Sequence, residues 1–207
     1  MCEFSEYVKM FDYTKSAVKD ILFSVSTDYS LIPSPEWSDD HILWDEKNVS
    51  TPHKMKENGR GYEIIHGSGC TEGHLLGGCI DVFLMANGTE IWPSLEEWNG
   101  AILFIETSED KPSPEFIKWT FRNLAAQGIL SVIKGIIVGK PKDETYYEEY
   151  KSAIIQVVSF EEKIESLPIF YNVNFGHAKP IAIIPYGIMA QLNCECKTIR
   201  FLESATV

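Results

Sequence analysis

The chain has 207 residues, of which 44% are hydrophobic and 23% charged, as is ordinary for a soluble globular protein with one substantial domain. Its formal net charge of −12 argues against binding to nucleic-acid phosphates or anionic lipid, although a small anionic ligand in a locally basic pocket stays compatible. No apolar stretch approaches the roughly 20 residues of a membrane span, and the acidic start does not resemble a secretory signal, so we expect a cytoplasmic protein.

The first predicted element is an amphipathic helix over residues 3–24, with apolar residues at helical spacing. Little precedes it in the chain, so its apolar face has no obvious partner and makes self-association, as a homodimer, a plausible expectation. Residues 30–61 follow as an irregular stretch rich in Pro, Ser, Asp and Asn that contains Trp37 and Trp44. Such a stretch is either a functional loop or a loop that its tryptophans anchor to the core.

From residue 62 onward, the sequence pattern predicts short strands, glycine turns and helices. Strand, helix, strand, helix and strand between residues 101 and 172 predict a parallel α/β layer, and the shorter pieces on either side predict a second, antiparallel layer. The predicted strands are 62–66, 101–105, 132–138, 169–172 and 181–184, the helices are 80–86, 113–127 and 145–158, and 191–202 is a terminal hairpin.

The five cysteines are Cys2, Cys70, Cys79, Cys194 and Cys196. An odd number at irregular spacing argues against a disulfide framework and fits a reducing compartment. The Cys-x-Cys pair near the C-terminus has no second pair and no nearby histidine, and the other histidines lack ligand spacing. The sequence therefore predicts no metal site and no cofactor.

Two polar residues stand where a buried strand gives way to a loop, the place where catalytic side chains are often presented. Glu106 ends the apolar run at residues 101–105, and His177 follows a second apolar run. Together they suggest the base and the orienting acid of a hydrolase, although each alone is also compatible with a structural role. The chain offers no convincing nucleophile, because Ser68 belongs to a turn that does not lead into a helix and nothing cationic adjoins Cys70 or Cys79.

Several motifs occur together in a recognisable order. They are SPEWSDD (34–40), GHLLGG (73–78), GTEIWP (88–93), ILFIE (102–106), GIIVGK (135–140), FGHAKP (175–180) and PYG (185–187). From about residue 30 onward the chain thus resembles the C-terminal part of the serine LD-carboxypeptidase family, and within it the microcin C immunity (MccF-type) branch.

The resemblance implies a fold and an activity. It implies an α/β protein with the swivelling β/β/α-type C-terminal domain of LD-carboxypeptidases at 62–207, an interdomain or substrate loop at 30–61, and at 1–29 the terminal helix of an N-terminal domain that carries the nucleophile serine. Glu106 and His177 match the triad glutamate and histidine. Trp37 and Trp44 match the segment that stacks on a nucleobase in the immunity branch. The substrates implied are muropeptides, or peptide-nucleotide antibiotics with an amide or acyl-phosphoramidate bond.

Two departures from the family pattern qualify these expectations. Cys79 stands where the family usually has asparagine, and no serine nucleophile is found in this chain. We therefore expect the chain to be inactive in isolation. The alternatives are a non-catalytic, ligand-binding pseudoenzyme and one half of a split enzyme.

Overall fold

The computed structural model describes residues 10–43 and 45–206. The strands are β1 (Tyr29–Leu31), β2 (Glu36–Trp37), β3 (Lys56–Glu57), β4 (Glu63–His66), β5 (Cys70–Cys79), β6 (Ile102–Glu106), β7 (Gly135–Gly139), β8 (Ile169–Val173), β9 (Met189–Asn193) and β10 (Thr198–Phe201). The helices are α1 (Asp12–Leu22), α2 (Ile80–Phe83), α3 (Leu95–Trp98), α4 (Pro114–Ala126), α5 (Ile129–Val132) and α6 (Tyr147–Ile155). None of the helices in these ranges has the length and apolar character that crossing a membrane requires.

Eight of the strands form one mixed sheet in the order β1-β10-β9-β5-β6-β7-β8-β4. Strands β5 to β8 run parallel, while β4, β9, β10 and β1 pair antiparallel with their neighbours. The α/β class and the parallel part are therefore confirmed.

The antiparallel part is not a separate layer, and in this respect the prediction was wrong. Strand β5 is long enough to pair twice: residues 70–74 pair with β9, and residues 75–79 pair with β6. The antiparallel strands thus extend the parallel sheet instead of stacking on it.

The sheet has a hydrophobic core on each face. Alternate residues of β6 serve opposite cores, since Leu103 and Ile105 pack with α4 and α6 while Ile102 and Phe104 pack on the other side. Helix α4 begins at the Ser113 cap, whose hydroxyl accepts the backbone N–H of Phe116. This double burial explains why β6 reads as a continuous apolar run.

Helix α1 does have a partner, contrary to the sequence-based expectation. Its Ala17 and Ile21 are buried in the second core, and its Thr14 hydroxyl accepts the backbone N–H of Ile181. The apolar face that looked unpaired covers the chain's own sheet, because the β6 face opposite α4 also needs cover. The predicted part of this helix before residue 10 lies outside the described residues.

The glycines at the end of β5 are required by close packing, as their clustering indicated. A Cβ on Gly77 would lie 1.7 Å from the carbonyl oxygen of Phe104 on β6. Gly77 and Gly78 also have φ angles of 155° and 157°. At Gly77 the strand can approach β6 only without a side chain.

Three local predictions needed correction. Residues 181–184 are not a strand: they lie between Pro180 and Pro185, and the N–H of Ala182 goes to the carbonyl of Asn174 instead of to a neighbouring strand. The strand predicted over 132–138 begins only at Gly135, since Ile129–Val132 forms a helical turn after left-handed Gly128. The helix predicted from residue 145 begins at Tyr147.

Candidate active site

Parallel strands present their carboxyl ends at the same edge of a sheet, and the candidate residues meet there. Glu106 is the last residue of β6, Cys79 is the last residue of β5, and the two are register partners. His177 lies in the loop that follows β8, the second strand along from β6. Residues 71 positions apart in the sequence are thereby brought into contact.

The structure joins Glu106 and His177 directly. Nδ1 of His177 lies 2.9 Å from Oε2 of Glu106, and the carboxylate is buried while the imidazole is half-buried. The hydrogen bond and the charge of Glu106 raise the pKa of His177 above its ordinary value, although partial burial acts against this. A carboxylate at Nδ1 favours the tautomer with its proton on Nδ1, which makes Nε2 the nitrogen that accepts a proton in a triad.

Glu106 occupies a slot that two glycines leave open. A Cβ on Gly176 would lie 2.5 Å from Oε2 of Glu106, and a Cβ on Gly139 would lie 2.8 Å from its Cβ. Gly176 has a φ angle of 95°, which glycine adopts without strain. Both glycines therefore help to position the acid, a role that their place in the motifs did not reveal.

Cys79 joins this pair, which its sequence position did not indicate. Its thiol, one ring nitrogen of His177 and a carboxylate oxygen of Glu106 all lie within 4.8 Å of one another. Burial and then the neighbouring Glu106 raise the pKa of the Cys79 thiol to about 12. A protonated thiol is a poor nucleophile, so the environment argues against a cysteine-based mechanism.

The loop after β6 brings a second carboxylate to the histidine. Oε2 of the exposed Glu109 lies 2.7 Å from Nε2 of His177. The loop is held by Asp81, whose carboxylate accepts the backbone N–H of Ser108 at 3.0 Å. The Cys79 thiol also points to Asp81, with 3.7 Å between sulfur and oxygen.

The tryptophan predicted to bind substrate lies in a different setting. Trp37 is 6% exposed, and the ammonium groups of Lys140 and Lys56 lie 4.2 Å and 5.0 Å from its ring centroid. Lys140 itself is buried and contacts Glu144 and Asn172. The indole thus anchors the 30–61 segment to the sheet, and its substrate role stays a prediction. Trp44 lies outside the described residues.

Ser68 lies far from the pair. It belongs to the turn between β4 and β5, and His66 at the end of β4 pairs with Ile169 at the amino end of β8. His177 follows the opposite end of β8. The position of Ser68 agrees with its interpretation as a turn residue.

Comparison with known proteins places this site in a family context. Residues 72–192 match the model of the LD-carboxypeptidase C-terminal domain. The microcin C7 self-immunity protein MccF of Escherichia coli is 27% identical over 206 residues, which cover 97% of this chain and 56% of that protein. The chain spans about half the length of the curated relatives it matches.

Solved structures give the same result. An MccF-like protein from Streptococcus pneumoniae, in complex with AMP, superposes with a TM-score of 0.81 and 31% identity, covering 93% of this chain and 58% of that one. An MccF-like protein from Bacillus anthracis superposes with a TM-score of 0.70 and 26% identity, covering 86% and 52%.

Proposed function

Because the chain belongs to the LD-carboxypeptidase C-terminal domain family, we propose that Glu106 and His177 are the acid and the base of a Ser-His-Glu hydrolase. The observation that carries the proposal is the 2.9 Å contact between His177 Nδ1 and the buried Glu106 carboxylate. An exposed or unpaired histidine would not have its tautomer fixed in this way.

In the proposed reaction, Nε2 of His177 takes the proton of a serine hydroxyl as that oxygen attacks the substrate carbonyl. The same nitrogen then returns the proton to the leaving group, and Glu106 stabilises the imidazolium between the two transfers. Glu109 now contacts Nε2, so its side chain has to turn away before a serine can approach. Its side chain is 66% exposed, so this movement displaces no packed group.

We propose that the serine comes from a different segment than the described residues, because the contact recorded at Nε2 of His177 is to Glu109 and not to a serine hydroxyl. We therefore expect that the described residues alone do not turn over substrate.

For the substrate, we propose an aminoacyl-nucleotide or muropeptide in which an amide or acyl-phosphoramidate bond is cut. The MccF-like relative from Streptococcus pneumoniae was solved with AMP, which supports a nucleotide as one end of the ligand. The strongly acidic chain would accept such an anion only at a locally basic place, and Lys142 lies close enough to His177 to influence its pKa.

A chimera tests the proposal directly. Residues 10–206 replace the matching half of the Streptococcus pneumoniae protein, which then supplies the remaining segment, and hydrolysis of an aminoacyl-sulfamoyl adenosine is followed. We expect turnover that His177→Ala and Glu106→Gln abolish or strongly reduce, with Glu195→Gln, a change at an exposed carboxylate in the turn between β9 and β10, as the control.

Two outcomes would count against the proposal. Turnover that survives His177→Ala would exclude His177 as the base. AMP binding without turnover in a correctly folded chimera would instead favour a ligand-binding pseudoenzyme.

A further inference from the structure

Cys79 has no part in the proposed proton transfers, yet its thiol lies beside both residues that do. We propose that Cys79, Glu106 and His177 form a binding site for a thiophilic divalent cation, Zn²⁺ being the best match, and that the bound ion disables the acid–base pair. The site itself depends only on the arrangement of these side chains; its inhibitory consequence also rests on the proposed function.

The chemistry of the three side chains fits zinc. Thiolate, imidazole and carboxylate are the ligand types that Zn²⁺ takes in proteins, at distances of about 2.0–2.3 Å. The three donor atoms already lie within 4.8 Å of one another, so small side-chain movements bring them around one ion. Three protein ligands leave the fourth tetrahedral position to water, as in open zinc sites.

The backbone supports this arrangement. Cys79 and Glu106 are paired residues on adjacent parallel strands, so their separation is set by the sheet. The backbone at Gly139 and Gly176 packs closely against Glu106, which helps to hold its side chain in place. Two of the three ligands are thus placed by rigid elements, which reduces the cost of ordering them.

Binding would release the thiol proton of Cys79. The Sγ–H bond of Cys79 breaks, an Sγ–Zn bond forms and the proton goes to solvent, since a coordinated thiol is deprotonated. The thiol's hydrogen bond to Asp81 is lost in the same step. With Nδ1 of His177 as the ligand, the ion displaces the proton that Nδ1 donates to Glu106 across 2.9 Å. This proton moves to Nε2 in a neutral imidazole and goes to solvent from an imidazolium, so zinc binding and the orienting hydrogen bond exclude each other.

The other cysteines complicate the assignment of bound metal to Cys79, because Cys70, Cys194 and Cys196 could also bind it. The background variant therefore changes these three and Cys2 to serine. Its Co²⁺ complex should show a thiolate-to-metal charge-transfer band. The band should disappear with Cys79→Ser added and persist with His41→Ala added.

Zinc affinity gives the quantitative test, by competition with a chromophoric chelator. His177→Ala in the background variant should weaken binding by more than the roughly 10–100-fold that the loss of a supporting residue costs. A band that is present in the wild type but absent from the folded background variant would place the metal on the other cysteines and overturn the proposal. So would equal zinc affinities with and without Cys79.

A measurement that leaves all cysteines in place covers the case in which the background variant does not fold. Iodoacetamide labelling, run long enough for the weakly ionised Cys79 thiol to react and read by peptide mass spectrometry, should show that Zn²⁺ protects Cys79 in the wild type but not in His177→Ala. Labelling of Cys79 that zinc leaves unchanged would reject the site. These measurements need no substrate, so they stand apart from any failure to detect hydrolysis.

Discussion

Glu109 places its carboxylate 2.7 Å from Nε2 of His177, on the side of the ring opposite Glu106. The imidazole therefore lies between two carboxylates that differ in character. Glu106 is buried and held between glycines, whereas the Glu109 side chain is 66% exposed. The first can orient the ring permanently, and the second can be displaced by an incoming group.

The first prediction concerns the pKa of His177. Glu106→Gln should lower it toward the ordinary histidine value of about 6.5, because the principal cause of the upward shift is lost. Two-dimensional NMR titration of the ring protons measures the change. Glu109→Gln should lower the pKa less, since the exposed Glu109 carboxylate is a lesser cause of the upward shift than the buried Glu106. A larger shift for Glu109→Gln would reverse the assigned roles.

The same pair predicts how stability depends on pH. A raised pKa in the folded state means that the folded protein binds the proton more tightly, so the contribution of the pair is fully present below the unfolded value of about 6.5. It is lost as pH rises through the folded pKa. Urea unfolding of wild type and His177→Gln should therefore differ more at pH 6 than at pH 9. A difference independent of pH would contradict this.

The slot around Glu106 can be tested with two matched glycines. Gly176 and Gly187 have similar φ angles, 95° and 83°, so alanine at either position should cost about 1–2 kcal/mol of backbone strain. Only at position 176 would the new Cβ meet Glu106; at 187 it meets nothing within 4 Å. We expect Gly176→Ala to destabilise more in urea unfolding and to lower the pKa of His177. Equal effects of the two variants would disprove the slot.

Lys140 should matter for stability far more than an exposed lysine. Lys140→Met leaves the buried side-chain amide oxygen (Oδ1) of Asn172 without the Lys140 ammonium as a donor, at a cost of about 1–3 kcal/mol. Lys111→Met breaks the more exposed pair with Asp143 and should cost about 0–1 kcal/mol. Urea unfolding compares the two variants, and similar losses would mean that burial of Lys140 adds nothing.

The tryptophan of the 30–61 segment offers a test of ligand binding. If Trp37 stacks on a nucleobase, as the family resemblance implies, Trp37→Leu should weaken AMP binding by about 1–3 kcal/mol in calorimetry. Trp119, which is 59% exposed on α4, provides the matched control as Trp119→Leu. An unchanged affinity in a folded Trp37→Leu variant would leave the indole with its anchoring contacts to Lys140 and Lys56 alone.

Local patterns in the sequence were sufficient for most elements and for the principal pair. The apolar run before Glu106, the Ser-Pro start of α4 and the ordered motifs are all local signals, and each led to the correct element. The strand-end positions of Glu106 and His177 suggested an orienting acid and a base, and the family resemblance then assigned both to one triad.

What the sequence did not reveal depends on pairing between distant segments. Cys79 reaches Glu106 only through the register of β5 with β6, and α1 finds its partner only on a sheet face built from later strands. Residues 181–184 are apolar enough for a strand, but their backbone groups bond to loop and helix atoms instead. The spacing of apolar residues indicates which side chains are buried, but it does not indicate which element they pack against.

The pairing of β5 with both β9 and β6 has a consequence for local unfolding. Its first half belongs to the antiparallel strands and its second half to the strand edge that carries Cys79. A local opening that released β5 would expose amides on both sides at once, so native-state hydrogen exchange should find the two regions opening as one cooperative unit. On this expectation, loosening of the strand end at Cys79 should be accompanied by opening of the pairing between β5 and β9.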